Sequence, residues 1–89
     1  MVKKSKEKKF ATIKFFKYAR KTIPISKYVA TCEIDNKCYS IRITDIPATL
    51  EFEDFALVRV QLLIDSQELL KGEIFITEGS HVVGVCNVI

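Results

Sequence analysis

Side chains able to do catalytic or metal chemistry are few and scattered in this chain. His81 is the single histidine, and Cys32, Cys38 and Cys86 are the only thiols. A catalytic constellation needs a nucleophile, a base and an orienting group at workable spacing. His81 follows a Gly79-Ser80 turn that leaves it exposed, and its available partners are Cys86 and dispersed carboxylates. Neither HExxH nor GxSxG occurs, and Gly72, Gly79 and Gly84 are isolated, so no glycine-rich phosphate loop is formed. Cys32 and Cys38 flank Asp35-Asn36 and can face each other across a hairpin, as a crosslink or as half of a zinc site completed by His81 and Cys86. Three cysteines exclude a fully paired disulfide framework. The simpler reading, preferred here, is of inert, buried or half-buried free thiols, with no metal and no cofactor. Glu51-Phe52-Glu53-Asp54 can attract a cation but reads better as a solvated loop. The chain does not read as an enzyme.

Charge is more telling. Residues 1–21 hold nine Lys/Arg and one Glu, while residues 22–89 hold five Lys/Arg and ten Asp/Glu. A basic arm on an acidic body invites phosphate or an acidic partner. Lys8, Lys9, Lys14, Lys17, Arg20 and Lys21 interleave with Phe10, Phe15, Phe16 and Tyr18, the ingredients of single-strand nucleic-acid recognition. Two plainer readings compete: a solubilising lysine tail, and aromatic rings that fill the core of a small β domain.

The elements that must position these groups are strands. Phe10–Tyr18 alternates with Ala11, Ile13 and Phe15 on one face. Ser26–Asp35 places Tyr28, Ala30, Cys32 and Ile34 inward, Asp35-Asn36 turns the chain, and Lys37–Thr44 returns with Tyr39, Ile41 and Ile43 inward. A short strand is expected around Thr49–Phe52. Ala56–Asp65 is expected as the central strand, with Val58, Val60, Leu62 and Ile64 on its inner face. Asp65–Glu68 turns, Leu69–Thr77 forms the next strand across a bulge at Gly72, Gly79 makes a tight turn, and Val82–Ile89 closes the sheet with Gly84 as a close strand contact. Strand-length segments at intervals of about 8–12 residues without a long helix predict a small all-β sandwich or barrel. A barrel is favoured because it leaves no apolar edge exposed. One domain over residues 9–89, preceded by a disordered basic leader over residues 1–8, is the expected organisation. No apolar run reaches the ~18–20 residues that cross a bilayer, and no apolar stretch follows the basic start as in a secretory signal, so a cytoplasmic chain without a membrane role is expected.

Gly72…Phe75-Ile76-Thr77-Glu78-Gly79-Ser80-His81-Val82-Val83-Gly84 resembles the end of the third domain of elongation factor Tu, where a Phe-containing strand leads into Arg-Glu-Gly-Gly-Arg-Thr-Val-Gly and a run of valines. Tyr39-Ser40-Ile41-Arg42-Ile43-Thr44-Asp45-Ile46 is similar to that family's Phe-Tyr-Phe-Arg-Thr-Thr-Asp-Val, and Arg20-Lys21-Thr22-Ile23-Pro24-Ile25 loosely resembles its Arg-His-Thr-Pro-Phe with one residue inserted. The resemblance runs over about residues 9–89. It implies a six-stranded, mostly antiparallel Greek-key barrel. In the family this barrel docks on the GTPase domain, touches the T-stem of aminoacyl-tRNA and helps receive the exchange factor. Ser80 and His81 stand where the family has Gly and Arg, and the acidic loop at residues 51–55 is shorter. No P-loop or guanine-reading motif is present, since Asn36-Lys37-Cys38-Tyr39 lacks the required Asp, so GTP binding is not expected.

Two functions follow as expectations. The first is a protein-binding module whose partner is a translation factor, a GTPase domain or a toxin aimed at one, in the manner of a mimic, decoy or immunity protein. Its contact residues are placed at Asp45, Glu51, Glu53, Asp54 and Phe55. The second is RNA or tRNA binding by Lys8, Lys9, Lys14, Lys17, Arg20, Lys21 and Arg42. A domain cut from a longer GTPase is a third possibility.

Overall fold

A computed structural model describes residues 8–89, so residues 1–7 of the expected leader lie outside the described part of the chain. Six strands follow in order: β1 (Lys9–Phe15), β2 (Ser26–Ile34), β3 (Lys37–Ile46), β4 (Ala56–Leu62), β5 (Gly72–Glu78) and β6 (His81–Val88), with a 3-10 turn over Gln67–Leu69. They form a closed barrel in the order β1-β4-β3-β2-β5-β6, every pairing antiparallel. β1 lies beside β4, not β2, which is the Greek-key crossing. Closure depends on β1 serving two neighbours: Lys9–Ile13 pair with β4 and Ala11–Phe15 with β6. The terminal apolar strand is therefore paired on both sides and no edge is left open.

Alternation decides the core. Ala11, Ile13 and Phe15 on β1, Cys32 on β2, Ile41 and Ile43 on β3, and Val58, Val60 and Leu62 on β4 are all buried. The β2–β3 hairpin turns on Asp35 and Asn36 with φ of 52° and 66°, the pair of positive values a two-residue type I′ turn requires. Gly79 supplies the equivalent freedom between β5 and β6 with φ of 62°.

Departures from the expected strands have local causes. β1 ends at Phe15: the Phe16 amide makes one last bond towards β6, to the Val83 carbonyl at 2.9 Å, and the chain then turns, the Ala19 amide donating to the Phe16 carbonyl at 3.1 Å. β3 runs two residues past Thr44. Asp45, with φ of 65°, is skipped in the register between Lys27↔Thr44 and Ser26↔Ile46, and that bulge turns Ile46 into the core. The strand expected over Thr49–Phe52 does not form. β3 pairs directly with β4, so no edge is available to it, and the segment instead makes turns closed by Leu50–Pro47 and Asp54–Glu51 bonds of 3.2 Å. Leu50 and Phe52 pack against the core as an end plug. β4 stops at Leu62 because the Gln67 side-chain amide takes over there, accepting from the Leu62 amide at 2.8 Å and donating to the Leu62 carbonyl at 2.7 Å. Ile64 is consequently exposed rather than inward. Gly72 opens β5 and no register shift occurs there; the bulge in this hairpin lies between Ile76 and Thr77. Cys32 pairs opposite Tyr39 and Cys38 opposite Glu33, so the two thiols project to opposite faces and do not meet across the hairpin.

Candidate functional site

Two loops close one end of the barrel: residues 16–25, joining β1 to β2, and residues 47–55, joining β3 to β4. Each has a reason to leave the ladder. Pro24 and Pro47 have no amide to donate, and Ser26 and Glu53 hold positive φ values of 74° and 69°. The loops are tied together. The Glu53 amide donates to the Phe15 carbonyl at 2.9 Å, and the Glu53 carboxylate accepts from the Lys17 amide at 3.0 Å. A second tie fastens the first loop to the barrel wall. One carboxylate oxygen of Glu78 accepts from both the Arg20 guanidinium and the Tyr28 hydroxyl, and Arg20 Nε also donates to the Thr22 carbonyl at 2.8 Å. The guanidinium lies 5.1 Å from the Tyr28 ring centroid. Burial, then the Glu78 hydrogen bond and charge, hold the Tyr28 phenol well above its ordinary range, so it stays a donor at every physiological pH.

Between these loops lies a cleft of about 540 Å³ lined by Lys17, Thr22, Ile23, Ile25, Pro47, Ala48, Leu50, Glu51 and Phe52. Its floor is the core-packed Ile23, Leu50 and Phe52, and its lip is Ile25, which is 67% exposed. Lys17 and Glu51 supply one charge of each sign among otherwise mainly apolar lining. An arrangement of this kind accepts an apolar side chain and orients its polar flanks.

The five expected protein contacts are divided by the fold. Glu51 borders the cleft, and Glu53 spends its carboxylate on the loop tie. Asp54 is exposed. Phe55, 57% exposed, carries the Lys14 ammonium 5.0 Å from its ring centroid, and Asp45 meets Arg59 at 3.4 Å on the barrel wall. The expected RNA contacts are divided too. Lys9 donates to the Leu70 carbonyl at 3.1 Å, Arg20 is held by Glu78, Lys14 lies among Phe16 and Phe55, and Lys17 belongs to the cleft. Lys21 is exposed on the first loop, while Lys8 and Arg42 share a hollow on the barrel wall. Of the interleaved rings Phe15 is wholly core, and Phe16 stacks on Tyr18 at 5.5 Å with planes 6° apart. Sequence reasoning missed Ile23 and Ile25 as part of a site, and on the second loop it named Glu51 without Pro47, Ala48 and Leu50 beside it. The available signal was a pair of Pro-bearing connections that stay rich in aliphatic residues, where loops are usually polar.

The thiols stand apart from this cleft. Cys38 is exposed, whereas Cys32 and Cys86 are buried. Burial pushes the Cys32 thiol up to about 11 and Cys86 up to about 12, from 9.0. Above pH 9 the unfolded chain loses these protons while the folded chain keeps them. Their stabilising effect is therefore complete below about pH 9 and is lost as pH rises towards 11–12. Urea midpoints are expected to hold up to about pH 9 and then fall, less steeply in Cys86→Ala than in the parent. In the folded chain a thiol reagent is expected to modify Cys38 alone at first, and all three cysteines once urea is added; rapid labelling of Cys86 in the folded state contradicts this.

Among the described residues no group of three or more His, Cys, Asp or Glu side chains is placed to hold a metal ion, and no helix is long and apolar enough to cross a membrane. Comparison with family models and with curated proteins finds no match to this chain.

Proposed function

We propose that this chain is a non-catalytic protein-binding module that works through the cleft between its β1–β2 and β3–β4 loops. The observation that carries the reading is the cleft itself: an apolar floor continuous with the core and an exposed Ile25 lip, held by loops that two polar ties fix in place. Preorganised loops lower the ordering cost of association. Burying a side chain such as Ile25 contributes roughly 1.5–3 kcal/mol. The partner fits as a protein that presents an apolar residue flanked by charge. The resemblance to the third domain of elongation factor Tu suggests which proteins: a translation factor, its GTPase domain, or a toxin directed at one, met by a mimic, decoy or immunity protein. That part of the proposal rests on the sequence resemblance in residues 39–46 and 72–84 and on fold analogy. Cytoplasm is the compartment proposed, since buried free thiols suit a reducing environment.

The test is capture of partners from native cytosol at low and high salt by three forms of the chain. The parent and Ile89→Asp, which alters a residue 80% exposed and outside the cleft lining, are expected to retain a protein at high salt. Ile25→Asp is expected to lose it by at least about tenfold, since a hot-spot truncation typically costs 2 kcal/mol or more. Equal retention by all three forms contradicts the cleft as the contact surface.

A further inference from the structure

Away from the cleft, the register collects cations on one outer wall. Across β2, β3 and β4 the register sets Lys27↔Thr44, Val29↔Arg42 and Thr44↔Arg59 side by side on the outer face, and Phe10 on β1 pairs with Arg59. Lys8, Lys27, Tyr28, Val29, Arg42 and Thr44 line a shallow hollow of about 420 Å³ there. Among the described residues Lys8, Lys27 and Arg42 make no ion pair, and the acid at the rim, Asp45, meets Arg59. Thr44 Oγ1, under this surface, is a buried side-chain oxygen with no hydrogen-bond partner. Beside the cations the Phe10 ring is 49% exposed, with the Arg59 guanidinium 5.1 Å from its centroid. Strands about 4.8 Å apart spread these groups over roughly 14 Å of wall.

We infer that this wall binds single-stranded nucleic acid, with Lys8, Lys27 and Arg42 on the phosphates and Phe10 with Arg59 as a stacking platform for a base. Lys8, Lys27 and Arg42, which have no ion pair among the described residues, leave a local positive potential around the hollow, and a phosphate backbone supplies the matching row of negative charge. Free anions alone do not use Phe10. A base has an apolar face that stacks on an exposed ring and on a guanidinium plane, and a single strand offers that face where a duplex hides it. A phosphate drawn between Lys27 and Arg42 brings an acceptor towards the unpartnered Thr44 hydroxyl. The inference is independent of the cleft: it uses residues on the wall, and none of those that line the loop cleft.

The experiment is fluorescence anisotropy of a labelled eight-nucleotide oligouridine titrated with the full chain at several salt concentrations. Binding is expected to weaken with salt along a log–log slope of about −2 or steeper, from three or more neutralised phosphates at about 0.7 each. Lys27→Glu and Arg42→Glu are each expected to lose about tenfold or more. Phe10→Ala is expected to lose about fivefold or more, the lower range for one stacked base. Lys17→Glu, in the cleft, is expected to bind within about twofold of the parent, and thermal melts check that each exposed substitution keeps the fold. Charge reversals that bind like the parent overturn the assignment. So does a duplex, or an inorganic polyphosphate of equal charge, that competes as well as the single strand while Phe10→Ala has no effect.

Discussion

Phe15→Ala is expected to destabilise the chain by about 3–5 kcal/mol, the range for truncating a fully buried aromatic side chain. Phe15 is 0% exposed and the largest of the fully buried side chains. Its ring meets Tyr28 edge-on, centroids 5.8 Å apart and planes at 72°, and its carbonyl receives the Glu53 amide. One residue thus joins the core, the Arg20–Tyr28–Glu78 tie and the loop that carries the cleft. A domain of this size has about 5–15 kcal/mol to lose, so the variant is expected to unfold well below the parent in urea. Before global unfolding, amides of both cleft loops should exchange faster than those of the β2–β3 hairpin at the far end. Phe10→Ala is the control: its ring is half exposed, and its cost should stay near 0.5 kcal/mol. A similar loss for both variants argues against Phe15 as the junction of core and cleft.

Gly84→Ala is expected to cost about 2–3 kcal/mol, for a different reason. Gly84 has ordinary backbone angles and is not retained for turning. It pairs opposite Phe15, and a Cβ at this position sits 2.6 Å from the Lys14 carbonyl oxygen and 3.4 Å from the Phe15 ring. The near neighbour is backbone, so relief requires β1 and β6 to move apart at the seam that closes the barrel. Gly84→Val adds two methyl groups to the same clash and should cost more, at about 4–8 °C of melting temperature per kcal/mol in a domain near this size. A Gly84→Ala variant that melts with the parent contradicts the close approach of β1 and β6.

Alternation made much of this barrel readable before its structure. Ala11, Ile13 and Phe15, the Asp35-Asn36 turn, and Val58, Val60 and Leu62 obey a period of two that only a wall packed on one side produces. The errors fall where a distant residue decides. Leu50 and Phe52 have strand spacing but plug the barrel end, because no strand edge is free beside them. Ile64 continues the β4 pattern, yet the Gln67 amide ends the strand two residues earlier. Ile46 enters the core only because Asp45 is bulged out. The candidate site was less legible for the same reason. Glu51 stands out in an acidic run, but the cleft arises from two loops distant in sequence, and only closure of the barrel brings Ile23 and Ile25 beside Pro47, Ala48 and Leu50. Likewise, the basic and aromatic residues near the start read as one arm. The fold sends Phe15 inward, gives Arg20 to Glu78, and leaves Lys8 to meet Lys27 and Arg42 from other strands.

Site-specific photo-crosslinking tests the central claim most directly, that a protein partner docks in the cleft. A photoreactive side chain is placed at Ala48, an exposed residue of the cleft lining, and for comparison at Asp35, in the hairpin turn at the opposite end. After irradiation in native cytosol, Ala48 is predicted to yield a discrete adduct with one polypeptide, lost when Ile25→Asp is added, while Asp35 yields none. An adduct formed from Asp35 and not from Ala48, or one from Ala48 that survives Ile25→Asp, contradicts the cleft as the functional surface.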